Sequence, residues 1–427
     1  MTDFNTTEYK RSRKAYLLQC TFEYFVALLV SDAFLAKLLS SIGVSDALNG
    51  IISSFISLVF ITDFFSLFLL RLKIETKRLV IVSKTLSNVF FMLLYIVPFL
   101  DIGKSAKTAL VIVFILLGYV GLYLVNSICY KWANSSVAPI NRAKYSAVKE
   151  MVSLISGILF SIAAGKIIDR FETQGDLTGG FLFIAAAILL LNICDFICLL
   201  LIRREDASQD GTETKKFGDV IKNTLGNKAF RNVVILAVLW DSARYFSIGF
   251  MGIYKTADLM LTVAAVQVIN MIANGARLVL SRPFGIYSDK RSFAKGFEAG
   301  LILAAAAFFV NIFTTPSRWF LIVIFTVLYN ASFAGINANN FNITYSYVNS
   351  AYITQAMAIK NCLGGIFGFA ASLAGGKIVS LVQAAGNEVF GFHVYAQQIL
   401  SAISFVITAI TVIFMHRVIC RQKVKIQ

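Results

Sequence analysis

Polar and apolar positions in this chain do not alternate. They segregate into long apolar runs separated by short polar breaks. A helix of about 20 apolar residues crosses the ~30 Å hydrocarbon core of a bilayer. Twelve segments meet or approach that length: 17–39, 47–70, 79–100, 108–130, 146–168, 180–202, 232–254, 263–280, 297–313, 319–341, 355–381 and 394–416. Barrel strands would alternate over ~10 residues, and these runs do not. Backbone groups in lipid must bond within the protein, so such runs are helices. The pattern predicts an all-α polytopic membrane protein with twelve transmembrane helices.

Composition sharpens this expectation. Hydrophobic residues make up 58% of the 427 and charged residues 15%, against ~45–50% and ~25% in a soluble domain. The six cysteines, Cys20, Cys129, Cys194, Cys198, Cys362 and Cys420, sit mostly in apolar runs with no Cys-x-x-Cys pair. They read as small buried hydrophobes, and no metal or cofactor is expected. Gly103-Lys104-Ser105 lacks the upstream glycine of a phosphate loop, so ATP hydrolysis is not expected and the chain does not read as an enzyme.

The net charge is +16, and its placement decides its meaning. Of 39 Lys and Arg, 28 fall on one side when alternate connections are counted, 7 on the other and 4 within spans. The positive-inside rule puts the rich side, and both termini, in the cytoplasm of a cell whose plasma membrane the chain crosses. The basic excess then faces anionic lipid headgroups rather than nucleic acid, since no polar segment is long enough to build a nucleic-acid groove.

The longest polar stretch, 203–231, divides the chain into 1–202 and 232–427, six spans each. Within it Phe217, Val220, Ile221 and Leu225 recur at helical spacing, predicting a short amphipathic helix on the membrane surface. The two parts match at an offset of about 211 residues in the register of a parallel repeat: Lys149 with Lys360, Gly157 with Gly368, Gly165-Lys166-Ile167 with Gly376-Lys377-Ile378, Gly175 with Gly386, Gly180-Phe181 with Gly391-Phe392, and Ile188-Leu189 with Ile399-Leu400. Between spans eight and nine, Gly285, Asp289 and Lys290 keep a spacing of Gly, Asp four later, then a basic residue.

With twelve spans and a parallel repeat, this loop resembles that of the major facilitator superfamily. The resemblance covers essentially the whole chain. Ser292 stands where a glycine is common, and the loop between spans two and three keeps only basic residues. The resemblance implies two six-helix bundles, a midplane cavity, alternating access and a gating role for Gly285, Asp289 and Lys290. It also implies a small-molecule solute, coupled protons as one energy source, and a monomer.

Polar residues inside spans are the candidate solute contacts. Tyr119, Tyr123, Asn126 and Tyr130 share one face of span four. Gln267, Asn270, Asn274 and Arg277 share one face of span eight. Asn330, Asn337, Asn340 and Thr344 form a stripe on span ten. Such stripes serve either as interhelical hydrogen bonds or as a cavity lining. Trp240, Asp241, Arg244 and Tyr245 stand mid-span in span seven, with Asp241 and Arg244 spaced to pair. Glu23 and Asp32 in span one lie about 180° apart on a continuous helix, with Lys37 a possible partner for Asp32. Asp195 with Asn192 reads as a helix contact in span six. His393 and His416 lie at span ends with no catalytic or metal partner.

An amide-rich, aromatic lining suits a small polar, sugar-like solute. The alternatives are an efflux permease for drugs or metabolites and, from another class, a non-transporting receptor with the same fold. The topology has a direct check. Cysteines placed at Gly43, Ala106 and Gln174 are expected to label from outside intact cells, and those at Gln209 and Lys423 only from inside. Outside labelling at Gln209 would overturn the assignment.

Overall fold

The computed structural model describes residues 6–62, 65, 75–138, 142–203, 225–348, 352–389 and 391–422. Residues 217–224 of the expected surface helix and most of the connection between spans two and three lie outside them. The described helices are Thr7–Leu29 (α1), Asp32–Ser41 (α2), Asp46–Ser53 (α3), Phe55–Val59 (α4), Thr76–Leu94 (α5), Lys104–Leu124 (α6), Asn126–Asn134 (α7), Arg142–Thr173 (α8), Leu177–Leu201 (α9), Lys228–Tyr245 (α10), Val263–Lys290 (α11), Phe293–Asn311 (α12), Phe320–Tyr345 (α13), Ile353–Ala384 (α14) and Ala396–Arg417 (α15). A two-residue hairpin pairs Glu388–Val389 with Phe392–His393.

Among the described residues, nine helices are long and apolar enough to cross a membrane, and Asp46–Val59 is a shorter apolar stretch. Helices α1 and α5 sit where spans one and three were expected but carry more charge: α1 opens on Lys10, Arg11, Arg13 and Lys14 and holds Glu23, and α5 holds Lys77, Arg78 and Lys84.

Two compact units emerge. The first comprises Met1–Val44, Phe65–Glu213 and Thr262–Gln267; the second comprises Ser45–Phe64, Thr214–Leu261 and Val268–Gln427. The core of the first gathers Tyr16, Val80, Cys129, Trp132 and Leu199. The core of the second gathers Phe230, Leu301, Phe308, Ile322 and Tyr329, with a smaller cluster of Ala47, Phe246, Phe250, Val379 and Leu400.

The first span is not one helix. It breaks at Val30–Ser31, where Asp32 takes a left-handed φ of 46°. The 180° separation expected of Glu23 and Asp32 assumed a continuous helix and therefore does not hold. The break frees backbone carbonyls that lipid cannot satisfy. The Tyr95 hydroxyl donates to Leu29 O and the Tyr119 hydroxyl to Val30 O. Tyr119, one of the aromatic stripe on span four, thus serves the backbone. Lys37 pairs with Glu172 of α8.

Span four likewise breaks at Val125, between α6 and α7. Where α6 approaches α5, Ser87 Oγ donates to Gly118 O at 2.6 Å and Ser83 Oγ to Gly121 O at 2.8 Å. After α10 the chain turns through a 3-10 segment, Ile248–Phe250, and a π turn, Tyr254–Asp258. The buried Gln397 amide of α15 donates to Ser247 Oγ at 2.6 Å and Ser247 O at 3.3 Å. Gly175 and Gly386, matched in the repeat, adopt φ of 75° and 68° just past the ends of α8 and α14. Left-handed glycine is the common way to close a helix.

Glycine also sets the packing of α3 within the second unit. A Cβ on Gly50 would lie 1.9 Å from the Phe250 ring, so the ring fits only because the side chain is absent. Gly50→Val is expected to lower Tm, at an overpacking cost of roughly 1–3 kcal/mol. Gly50→Ala, which adds a single methyl, should lose less than Gly50→Val. A Gly50→Val protein with unchanged Tm in detergent would refute this contact.

Candidate functional site

The second unit encloses a cavity of about 210 Å³ whose lining includes Trp240, Asp241 and Arg244 of α10, Asn337 and Asn340 of α13, and Lys360 and Asn361 of α14. The last turns of α10 set its charged wall. Asp241 and Arg244 are three residues apart, so they project from one face and pair. Arg244 Nε stands 2.8 Å from Asp241 Oδ1, an ion pair without hydrogen-bond alignment at that nitrogen. The guanidinium also lies over the Tyr245 ring at 4.5 Å, a cation–π contact that strengthens in a desolvated place.

Asp241 is seated on glycine. A Cβ on Gly364 would fall 2.2 Å from Asp241 Oδ2, and one on Gly368 would fall 2.7 Å from the Tyr245 ring. The Gly364-x-x-x-Gly368 face of α14 therefore admits α10 at close range, as small residues do between membrane helices.

Lys360 was counted among the loop cations and belongs instead to the interior. It is 2% exposed, and its Nζ donates to Asn340 Oδ1 at 2.7 Å and Thr344 Oγ1 at 3.3 Å. The count failed because a lysine near a span end was assigned to the nearest loop. The repeat match with Lys149 was the signal, since two lysines at one register inside apolar helices are unusual. Asn361 and Phe60 also line the cavity and were not anticipated. Trp240 meets Phe333 edge-on at 6.1 Å.

The other candidates sort as follows. Asn337 and Asn340 line the cavity; Asn330 donates to Thr326 O of its own helix at 3.0 Å and is not part of the lining. Gln267, Asn270, Asn274 and Arg277 do not line this cavity; Gln267 is buried in the first unit. Tyr123 and Asn126, also in the first unit, flank the Val125 break, with the Tyr123 ring 6.3 Å from Tyr119.

Gly285, Asp289 and Lys290 are helical rather than in a loop, because α11 continues through Pro283 to Lys290. Proline removes one backbone donor, but the helix persists beyond it. Asp289 borders a second cavity of about 360 Å³ with Ser288, Ser292, Tyr347 and Cys420. Nearby, Glu298 of α12 joins Lys295 at 2.6 Å and His416 at 2.7 Å. His416 therefore has an acidic partner that the sequence did not disclose.

Long apolar helices around a buried, charged, amide-lined cavity define a multi-pass membrane protein. A profile of the Major Facilitator Superfamily matches residues 16–372. The chain belongs to that superfamily of transmembrane transporters. No curated protein sequence matches it. It is similar in fold to the nucleoside transporter NupG (TM-score 0.68, 14% identity, covering 98% of this chain and 100% of that one). It is similar also to a D-xylose-proton symporter (0.68, 12%, 95% and 96%) and to a bacterial homologue of the iron transporter ferroportin (0.67, 14%, 97% and 99%). At these identities the likeness establishes fold alone.

The Asp241–Arg244 pair can be tested by a double-mutant cycle. Stranding one buried charge costs ~3–5 kcal/mol, whereas removing both is often close to neutral. Asp241→Asn and Arg244→Gln alone are expected to lower Tm sharply, and the double variant to recover it without recovering transport. A stable double variant with near-normal flux would reduce the pair to scaffolding.

Proposed function

We propose that the chain is a secondary transporter, active or facilitative, that moves a small polar organic solute across the plasma membrane by alternating access. In this reading it has twelve spans in two six-helix bundles and cytoplasmic termini. The observation that carries it is the buried cavity on α10, α13 and α14. Polar and ionisable side chains inside membrane helices are costly and mark solute paths. Here Asp241, Arg244, Lys360 and three asparagines converge on one cavity. The family supports transport as the activity.

A sugar-like solute is the first reading. Asn337, Asn340 and Asn361 offer amide donors and acceptors, and Trp240 offers an aromatic wall. A space of about 210 Å³ is below the ~300–1,000 Å³ of drug-sized pockets, which favours a single small ring over a large amphiphile.

A second reading has its own support. The lining carries two cationic side chains, Arg244 and Lys360, against one carboxylate, Asp241. That balance favours a solute with one anionic group, such as a sugar acid, which Lys360 would meet after releasing Asn340.

Thermal stability of the purified full-length protein separates the two, because a bound ligand stabilises the folded state. Neutral monosaccharides that raise Tm in both the wild type and Lys360→Met support the sugar reading. Stabilisation by sugar acids alone, lost in Lys360→Met, supports the anionic one. If neither class stabilises the wild type and neither enters liposomes holding it, both fail.

A further inference from the structure

The first unit buries a second set of ionisable groups, in different helices from the solute cavity. Glu23 and Gln19 stand on α1, Lys84 on α5 and Asp195 on α9. Lys84 Nζ pairs with Glu23 Oε2. The Gln19 amide donates to both carboxylates, to Glu23 Oε2 at 2.7 Å and to Asp195 Oδ1 at 2.9 Å. Asp195 is 1% exposed, Gln19 0% and Lys84 3%. The Glu23 side chain, at 23%, is the open end of the cluster.

Asp195 is the anomaly. Its Oδ1 receives one hydrogen bond from a neutral amide, and its buried Oδ2 has no hydrogen-bond partner among the described residues. Lys84, the nearest cation, is engaged by Glu23. Lys149 of α8 stands on the far side of Tyr16, 4.6 Å over its ring and 3.4 Å from its hydroxyl. The other titratable groups facing the cluster are thiols and phenols: Cys20 and Tyr16 on α1, Cys129 on α7, Tyr145 on α8 and Cys198 on α9. Asn88, four residues after Lys84, and Asn192, three before Asp195, are joined at 3.2 Å. An ionised carboxylate with one neutral donor is expensive inside a membrane protein. A proton on Oδ2 removes the charge and leaves the Gln19 bond on the carbonyl oxygen Oδ1 in place.

We propose that the Glu23–Gln19–Lys84–Asp195 cluster is a proton-binding site, with Asp195 Oδ2 taking up and releasing one proton exchanged with water through the Glu23 side. Uptake forms one O–H bond at the expense of hydronium, and nothing is oxidised. The site lies in the first unit, so it stands or falls independently of the solute class assigned to the second.

Infrared difference spectra between acidic and alkaline buffer, on purified full-length protein in liposomes of neutral lipid, read the site without a solute. The expected result is a carboxylic-acid C=O band that appears on acidification and moves on ¹³C labelling of the aspartate carboxyl carbons. It should be missing in Asp195→Asn and kept in Asp101→Asn, at an exposed position outside both clusters. Gln19→Leu removes the hydrogen bond to the carbonyl oxygen, so the band should rise in frequency. That variant decides the matter if Asp195→Asn does not fold. A wild type with no titrating aspartate band, or a band indifferent to both Asp195 and Gln19, would make the cluster a static ion pair and overturn the proposal.

Discussion

Every polar atom placed in an apolar helix must find its partner inside the protein, and much of this structure follows from that constraint. Lipid offers no water to a broken helix or a stranded charge. Where span one breaks, Tyr95 and Tyr119 serve the freed carbonyls of Leu29 and Val30. Where α10 ends, Gln397 serves Ser247. Where α9 ends, Lys77 donates to Leu200 O and Ile202 O, both at 2.7 Å. Tyr119, which reads as part of a polar stripe in sequence, here completes a backbone hydrogen bond.

Glycine determines where helices come close enough for such bonds. The serines of α5 reach the carbonyls of Gly118 and Gly121, and a Cβ at Gly118 would meet the Phe91 ring at 2.4 Å. The same principle seats the Asp241 carboxylate against Gly364. There, close approach also brings Lys360, on the same helix as Gly364, into the cavity wall beside Asp241 and Arg244. Association in membranes depends on packing and hydrogen bonding more than on apolar burial, so the glycine pattern sets the site's geometry as much as its polar residues do.

The two charged clusters differ in what remains after pairing. In the second unit Asp241 takes Arg244, and Lys360 is left to amide and hydroxyl oxygens on the edge of an open space. In the first unit Glu23 takes Lys84, and Asp195 is left with one amide donor in a closed place. An unmatched cation beside a cavity invites a solute group, whereas an unmatched carboxylate without room invites a proton.

The sequence by itself determined the class: apolar runs of membrane-crossing length, the helical state within them, and the superfamily, through the repeat and the Gly285–Asp289–Lys290 spacing. It also determined the Asp241–Arg244 pair, because three residues along one helix fix a neighbour without knowledge of the fold. Only the tertiary structure decided the rest. That α1 ends before Asp32 depends on tyrosines more than sixty residues away that accept the break. That Lys360 is interior depends on Asn340 and Thr344 of another helix. That Asn337 and Asn340 line the cavity while Asn330 bonds back to its own helix depends on how far along α13 the cavity reaches, its lining there running from Phe333 to Ile343. Asp195 stands apart because the cluster is assembled from three helices and one of its oxygens has no hydrogen-bond partner among the described residues. Periodicity fixes which residues share a face; only packing fixes what that face meets.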